Sequence, residues 1–246
     1  MKNQNNKANT FTIDKRSLLL GSASLLFAAG SASAQITPPA PALPSVSPQY
    51  VVTYFEVAPA FAAAAAKIAR DYRAATRKEN GVTALDLYQG AYLPYHFAMT
   101  GQWSDTAAFN AHSEGAALKT FRTSLTPHLI AAYDERRHHA LEVGKTAAAK
   151  SGLVTLTHVD LIPSGRDAGI ESVKMIASQS RAEPGCVRFD ALTQSNRPNH
   201  MTLVQSWRDD AAYRRYIVSA PCKAFRESLL ARSGSPYDER SYRPLV

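Results

Sequence analysis

The sequence predicts an α+β protein in which one strand–helix–strand–strand–helix–strand unit is used twice in a single chain. Three observations carry that prediction: a repeat at one fixed offset, alternating strand and helix periodicity within each copy, and strands apolar on both faces. The tetrapeptide Tyr-Asp-Glu-Arg occurs at Tyr133 and again at Tyr237, an offset of 104 residues. The same offset aligns Thr53 with Thr157, Pro59 with Pro163, Arg77 with Arg181 and Glu79 with Glu183. It also aligns Gly81 with Gly185, His96 with His200, Trp103 with Trp207 and Asp105 with Asp209, without a gap. The period is too long for a solenoid and fits a small domain duplicated whole.

The chain opens on a polar stretch ending in Lys15 and Arg16, then a short apolar run, then a small-residue site before Gln35. That order predicts a signal peptide over 1–34, cleaved after Ala34, and an exported, periplasmic or secreted protein. "DKRSLLLG" is similar to a twin-arginine signal with Lys in the first arginine place, which leaves the export route open. Residues 35–49 are Pro-rich and uncharged, an extended linker. The first domain is expected over 50–143, a hinge over 144–152 and the second domain over 153–246.

Within the first copy, "YVVTYFEVAP" is β-branched and aromatic and stops at a Pro, which predicts a strand. Phe61, Ala65, Ile68 and Tyr72 follow at helical spacing. Gly81 and Gly185 stand where a left-handed residue would end that helix. Second strands are "VTALDLYQG" and "CVRFDALTQ"; third strands begin at His96 and His200 and end at Trp103 and Trp207. Asp105 and Asp209 occupy helix N-cap positions, and a further helical stretch runs toward Tyr133. "YDER" reads as a charged turn ahead of a fourth strand. This is the ferredoxin-like order. Val51, Phe55 and Val57 alternate with apolar Val52 and Tyr54, so neither face of the sheet suits water. The two copies are therefore expected to cover each other's sheets as an intrachain pseudo-dimer.

The formal charge of +8 is partly carried by the leader. The remaining cations are mixed with acids rather than gathered in a stripe with aromatics, which argues against a nucleic-acid partner. The apolar leader run is too short for an ordinary membrane span. Cys186 and Cys222 could pair or remain free, and spacing does not decide between them. The motifs of zinc peptidases, dinucleotide or P-loop enzymes and serine hydrolases are absent from the sequence.

"TRKENGV" followed by "QWSDTAAFNAHSEGAALKTF", and "SRAEPGC" followed by "SWRDDAAYRRY", resemble the antibiotic biosynthesis monooxygenase superfamily. The resemblance spans nearly all of 50–246 and implies a dimeric α/β barrel built here within one chain. It implies an oxygenase that uses no metal or prosthetic group and acts on a small aromatic or quinol-like substrate with molecular oxygen. Such chemistry needs a dry pocket, a proton acceptor and donors for an oxyanion. His112, His158, Tyr54 and Trp103 are the candidate catalytic residues; Trp207, His96, His200 and Tyr216 are candidates for substrate binding. His138 and His139 fall on opposite faces of a strand and cannot share a metal. The alternative is a non-catalytic exported ligand-binding or stress-associated barrel. Haem is a weaker third reading, because the haem-degrading branch carries an Asn on its first strand that "VVTYFEV" and "VTLTHVDL" lack. Differences between the copies at Tyr54/His158 and His112/Tyr216 imply that at most one pocket works.

Overall fold

The computed structural model describes residues 47–145 and 151–246. The expected signal peptide, most of the linker and the middle of the hinge lie outside these residues. Among the described residues no helix is long and apolar enough to cross a membrane.

The first half runs β1 (Gln49–Glu56), α1 (Ala62–Thr76), β2 (Val82–Gly90), β3 (His96–Trp103), α2 (Thr106–Ser113), α3 (Ala116–Leu125) and β4 (Asp134–Glu142). The second repeats it as β5 (Leu153–Asp160), α4 (Arg166–Ser180), β6 (Cys186–Gln194), β7 (Arg197–Trp207), α5 (Asp210–Ile217), α6 (Ala220–Leu229) and β8 (Asp238–Pro244). Local chemistry sets the boundaries as the sequence suggests. Gly81 and Gly185 take φ of 79° and 90°, a left-handed conformation that costs a glycine little. Asp105 accepts from the backbone N–H of Ala108 at 2.8 Å, and Asp209 from that of Ala212 at 2.7 Å. Pro127 cannot supply the N–H that would continue α3, so the helix stops at Leu125 and a single 3₁₀ turn follows, well short of Tyr133.

All strand pairings are antiparallel and close an eight-stranded barrel in the order β1-β3-β2-β8-β5-β7-β6-β4. The doubly apolar strands are explained by this closure. One face, with Tyr50, Val52, Tyr54, Val154 and Leu156, fills the barrel; the other packs beneath the helices of its own half. The halves are joined edge to edge, through β4 with β6 and β8 with β2, as well as through the shared interior.

"YDER" is not a turn: strands β4 and β8 begin at Asp134 and Asp238. Their pairing with β1 and β5 sets Asp134 and Arg136 beside Tyr54 and Val52, and Asp238 and Arg240 beside His158 and Leu156. The polar residues that looked like a turn thus line the barrel mouth. Cys186 and Cys222 are both free thiols.

Candidate functional site

The candidate residues separate into two layers of the molecule. His112 and Trp103 lie outside the barrel wall, under the helices of the first half. Tyr216 and Trp207 hold the same places in the second. Tyr54 and His158 face the barrel interior, and His96 and His200 stand at its rim.

In the first helical layer the spacing of α1 turns Tyr72 toward α2, and the Asp105 cap turns His112 toward α1. The Nε2 of His112 lies 3.0 Å from the hydroxyl of Tyr72, and its Nδ1 lies 2.6 Å from a carboxylate oxygen of Glu79. A carboxylate only accepts, so Nδ1–H donates to Glu79, and in the Nδ1–H tautomer Nε2 accepts from the Tyr72 hydroxyl. The imidazole is buried, while Glu79, just past the end of α1, keeps a quarter of its side chain exposed. Burial raises the Tyr72 pKa above the ordinary phenol value, so a standing phenolate is disfavoured. Tyr72 also stacks on Phe121 at 4.3 Å and lines a cleft of about 410 Å³ between α1 and α3, with Ile68, Ala75 and Ala117 as apolar wall. Of the Tyr72–His112–Glu79 chain only Tyr72 lines the cleft, so a small apolar molecule seated there meets the chain through Tyr72 alone.

Trp103 packs against His112 with ring centroids 4.8 Å apart. Its buried indole N–H has no partner among the described residues. Gly101 permits this placement, because a Cβ there would overlap the indole. A buried unpartnered donor costs on the order of 1–3 kcal/mol, the kind of exception found where a structure keeps a donor for a ligand.

The second half has the same scaffold without the same chemistry. Ile176 replaces Tyr72 and Tyr216 replaces His112. Tyr216 stacks on Trp207 at 4.5 Å and accepts from Ser180 at 3.3 Å. Gln205 stands where the first half has Gly101, and it accepts the Trp207 indole N–H at 3.3 Å. Trp207 and Tyr216 are here buried packing groups.

Inside the barrel, Tyr54 and His158 meet edge to face with centroids 5.3 Å apart. His158 is held on both nitrogens. The Nδ1 of the nearby His138 is 2.9 Å from the carbonyl of Arg136, so it carries the proton. Its Nε2 then accepts from Thr202 Oγ1 at 3.0 Å, and Thr202 accepts from Nδ1–H of His158 at 3.2 Å. Nε2 of His158 in turn accepts from Nη1 of Arg136 at 3.1 Å. The bonds run from the Arg136 guanidinium back to its own carbonyl and tie β4 of one half to β5 and β7 of the other. Burial depresses the two imidazoles, His138 to about 3 and His158 to about 4, with the cation of Arg136 adding to the second shift. Both are neutral and engaged. Tyr54 is buried with a raised pKa, and its hydroxyl has no partner among the described residues. His96 and His200 face acids, Glu56 at 3.6 Å and Asp160 at 3.3 Å.

Tyr72 and Glu79 were not singled out from the sequence. Tyr72 stands among the helix-spaced positions that begin at Phe61, and Glu79 among the residues the two copies share. Their signal lies in the offset: Tyr72 faces Ile176, so the hydroxyl exists in one copy only. Among the described residues no group of three or more His, Cys, Asp or Glu is placed to hold a metal ion.

Comparison with known proteins agrees with the fold. The family model described as antibiotic biosynthesis monooxygenase matches twice, over residues 48–124 and 154–228. A Fusobacterium nucleatum structure provisionally described as a monooxygenase superposes with a TM-score of 0.73 at 16% identity, covering 82% of this chain and 94% of its own. One from Lactobacillus acidophilus, similarly described, gives 0.68 at 15% identity, with 81% and 95% covered. An anthrone oxidase-like protein gives 0.64 at 13%, with 80% and 91% covered. At these identities the likeness is one of fold. No curated protein matches the sequence.

Proposed function

Since the chain belongs to the antibiotic biosynthesis monooxygenase family, with the domain present twice, we propose that its first half is a cofactor-independent monooxygenase of a small phenol or quinol-like substrate. The observation that carries this reading is the Tyr72–His112–Glu79 chain, buried behind an apolar cleft and present in one half only. Localisation outside the cytoplasm is part of the proposal and rests on the leader sequence alone.

The chemistry follows from what each group can hold. The substrate lies in the α1–α3 cleft with its hydroxyl at Tyr72. Its proton passes to the Tyr72 oxygen as Tyr72 passes its own to Nε2 of His112, so no free phenolate of Tyr72 forms. Glu79 stabilises the resulting imidazolium and fixes the ring. The substrate anion is electron-rich enough to reduce oxygen: one electron moves to O₂, the two radicals join, and a carbon–oxygen bond forms at a hydrogen-bearing carbon ortho or para to the hydroxyl. The peroxide takes back the proton held by His112. Loss of the C–H proton from that carbon then breaks the O–O bond, leaving a quinone carbonyl and water. All four electrons come from the substrate, one oxygen atom stays in the product and the other leaves as water. Trp103 does not line the cleft; its indole packs on the His112 ring and holds it in place.

The test is oxygen uptake by the metal- and flavin-free protein over a panel of phenols, quinols and anthrones, with ¹⁸O₂ as label. The reading expects saturable uptake, one labelled atom per product, and loss of the rate in Tyr72→Phe. No uptake above autoxidation on any substrate would transfer the weight to a non-catalytic binding barrel.

A further inference from the structure

The halves differ a second time, where the first turn of α2 or α5 meets the last strand of its own half. In the second half, Asp210 on α5 holds Arg243 of β8, with carboxylate oxygens 2.8 and 2.9 Å from the two guanidinium Nη atoms. The repeat offset puts Thr106 and His139 in those places, so the first half has no carboxylate at this junction. Arg137, two residues before His139 on the same face of β4, stands where the second half has Ser241. Its guanidinium rests on the Phe109 ring of α2, 4.3 Å from the centroid, and has no ion-pair partner among the described residues.

Thr106, Arg137 and His139 line one cleft of about 540 Å³, together with Gln194, Ser195 and Asn196 of the β6–β7 hairpin. The other charged groups of its lining are engaged, Glu135 with Arg122 at 3.0 Å and Arg136 with Asp134 at 2.6 Å. The backbone N–H of Ser195 donates to the carbonyl of Arg137 at 2.9 Å, which fixes the hairpin against β4. The side-chain amide of Gln194 donates to that of Asn196 at 2.9 Å, so the Asn196 NH₂ and the Gln194 oxygen are available to a ligand. Nδ1 of His139 is buried without a partner among the described residues, which costs stability unless something meets it. Burial, and then the cation of Arg137, lower the His139 pKa, so the ring is uncharged at neutral pH. Of the residues outside the described ones only Asp14 is acidic, so neither the linker nor the hinge offers Arg137 a side-chain carboxylate.

We infer that this cleft is a binding site for a small hydroxy acid, its carboxylate held by Arg137 and Thr106 and its hydroxyls by Gln194, Ser195 and Asn196. A guanidinium presents paired donors that match a carboxylate edge. The second half shows a carboxylate at this junction against a cation of the last strand, and the first half leaves that place to a ligand. The lining is polar throughout, which suits a ligand whose body carries hydroxyls rather than an apolar ring. No residue lines both this cleft and the Tyr72 cleft, so the site stands whether or not the chain is an oxygenase.

Calorimetric titration of the full chain with gluconate tests it, with benzoate and inorganic phosphate as comparison probes. Saturable gluconate binding is expected, weakened by about tenfold or more in Arg137→Gln. Thr106→Asp, which supplies the counterpart of Asp210, is expected to weaken it similarly while circular dichroism shows the fold unchanged. The second variant keeps the test valid if the first fails to fold. Absence of saturable gluconate binding, binding indifferent to either change, or benzoate or phosphate binding as tight as gluconate would each overturn the assignment.

Discussion

Beneath α2 of the first half, His112 sits between the Tyr72 hydroxyl and the Glu79 carboxylate, with an unpartnered indole N–H beside it. Beneath α5 of the second half, Tyr216 stacks on Trp207 and bonds Ser180, and Gln205 satisfies the indole. The backbone is the same and the polar chemistry is opposite. One copy leaves a buried donor open and puts a proton acceptor behind a cleft, both of which cost stability. The other closes each group on a neighbour, which stabilises the shared barrel. Because the eight strands form one closed sheet, stability contributed by the second half supports the first. Duplication within one chain thus lets the two tasks be divided in a way that two identical subunits could not.

The largest effect that would break this comparison concerns Tyr72. Tyr72→Phe keeps the stacking on Phe121 and removes the link to His112, so oxygen uptake should fall by about 100-fold, within the usual range for a positioned proton carrier. Its partner in the other half, Ile176→Phe, should leave the rate unchanged. A smaller loss is expected for Glu79→Gln. An amide can still accept from Nδ1–H but no longer stabilises the imidazolium formed in the reaction, so kcat should fall more than KM rises. Steady-state kinetics read both effects.

The indole can be exchanged between the two patterns as well. Gly101→Gln would give Trp103 the side chain that Trp207 has. There is no room for it, so the barrel should lose about 1–3 kcal/mol, typical of overpacking. Calorimetry would register a lower Tm, about 2–4 °C for each kcal/mol in a domain of this size. If stability rose instead, the indole N–H would be a defect rather than a reserved donor.

At neutral pH the smallest expected effect belongs to the barrel interior. His138 and His158 bind protons near 6.5 when unfolded but only near 3 and 4 when folded. Their contribution to stability is full above about pH 6.5 and is lost as pH falls through the window down to those folded values. Each neutral imidazole accounts for about 1.4 kcal/mol per pH unit within it. His158→Gln, which can still accept from Arg136 and donate to Thr202, should flatten the pH dependence of urea unfolding by about one proton. Tyr54, its counterpart, does not titrate there, so Tyr54→Phe should leave the slope unchanged.

The repeat made the fold legible. The offset, the caps at Asp105 and Asp209 and the left-handed glycines are all local, and two apolar faces per strand require cover on both sides. "YDER" was misread because its charges resemble a turn, and only barrel closure gives charged residues at a mouth a place in a strand. The site was half legible. His112 and Trp103 belong to a recognisable pattern, but their separation from Tyr54 and His158 by the barrel wall is a matter of strand register between distant segments. Tyr72 hid inside an apolar periodicity, since a tyrosine fills a core position as well as any apolar ring. Comparing the copies position by position, rather than listing what they share, is the reading that exposes it.

The division of labour between the halves rests most directly on one pair of rates: oxygen uptake by His112→Gln and by Tyr216→Phe, measured side by side on the substrate that the panel identifies. It predicts a loss of about 100-fold or more for His112→Gln and a rate within about twofold of the parent for Tyr216→Phe. Equal losses in the two variants, or a larger loss from Tyr216→Phe, would contradict the division of labour between the halves.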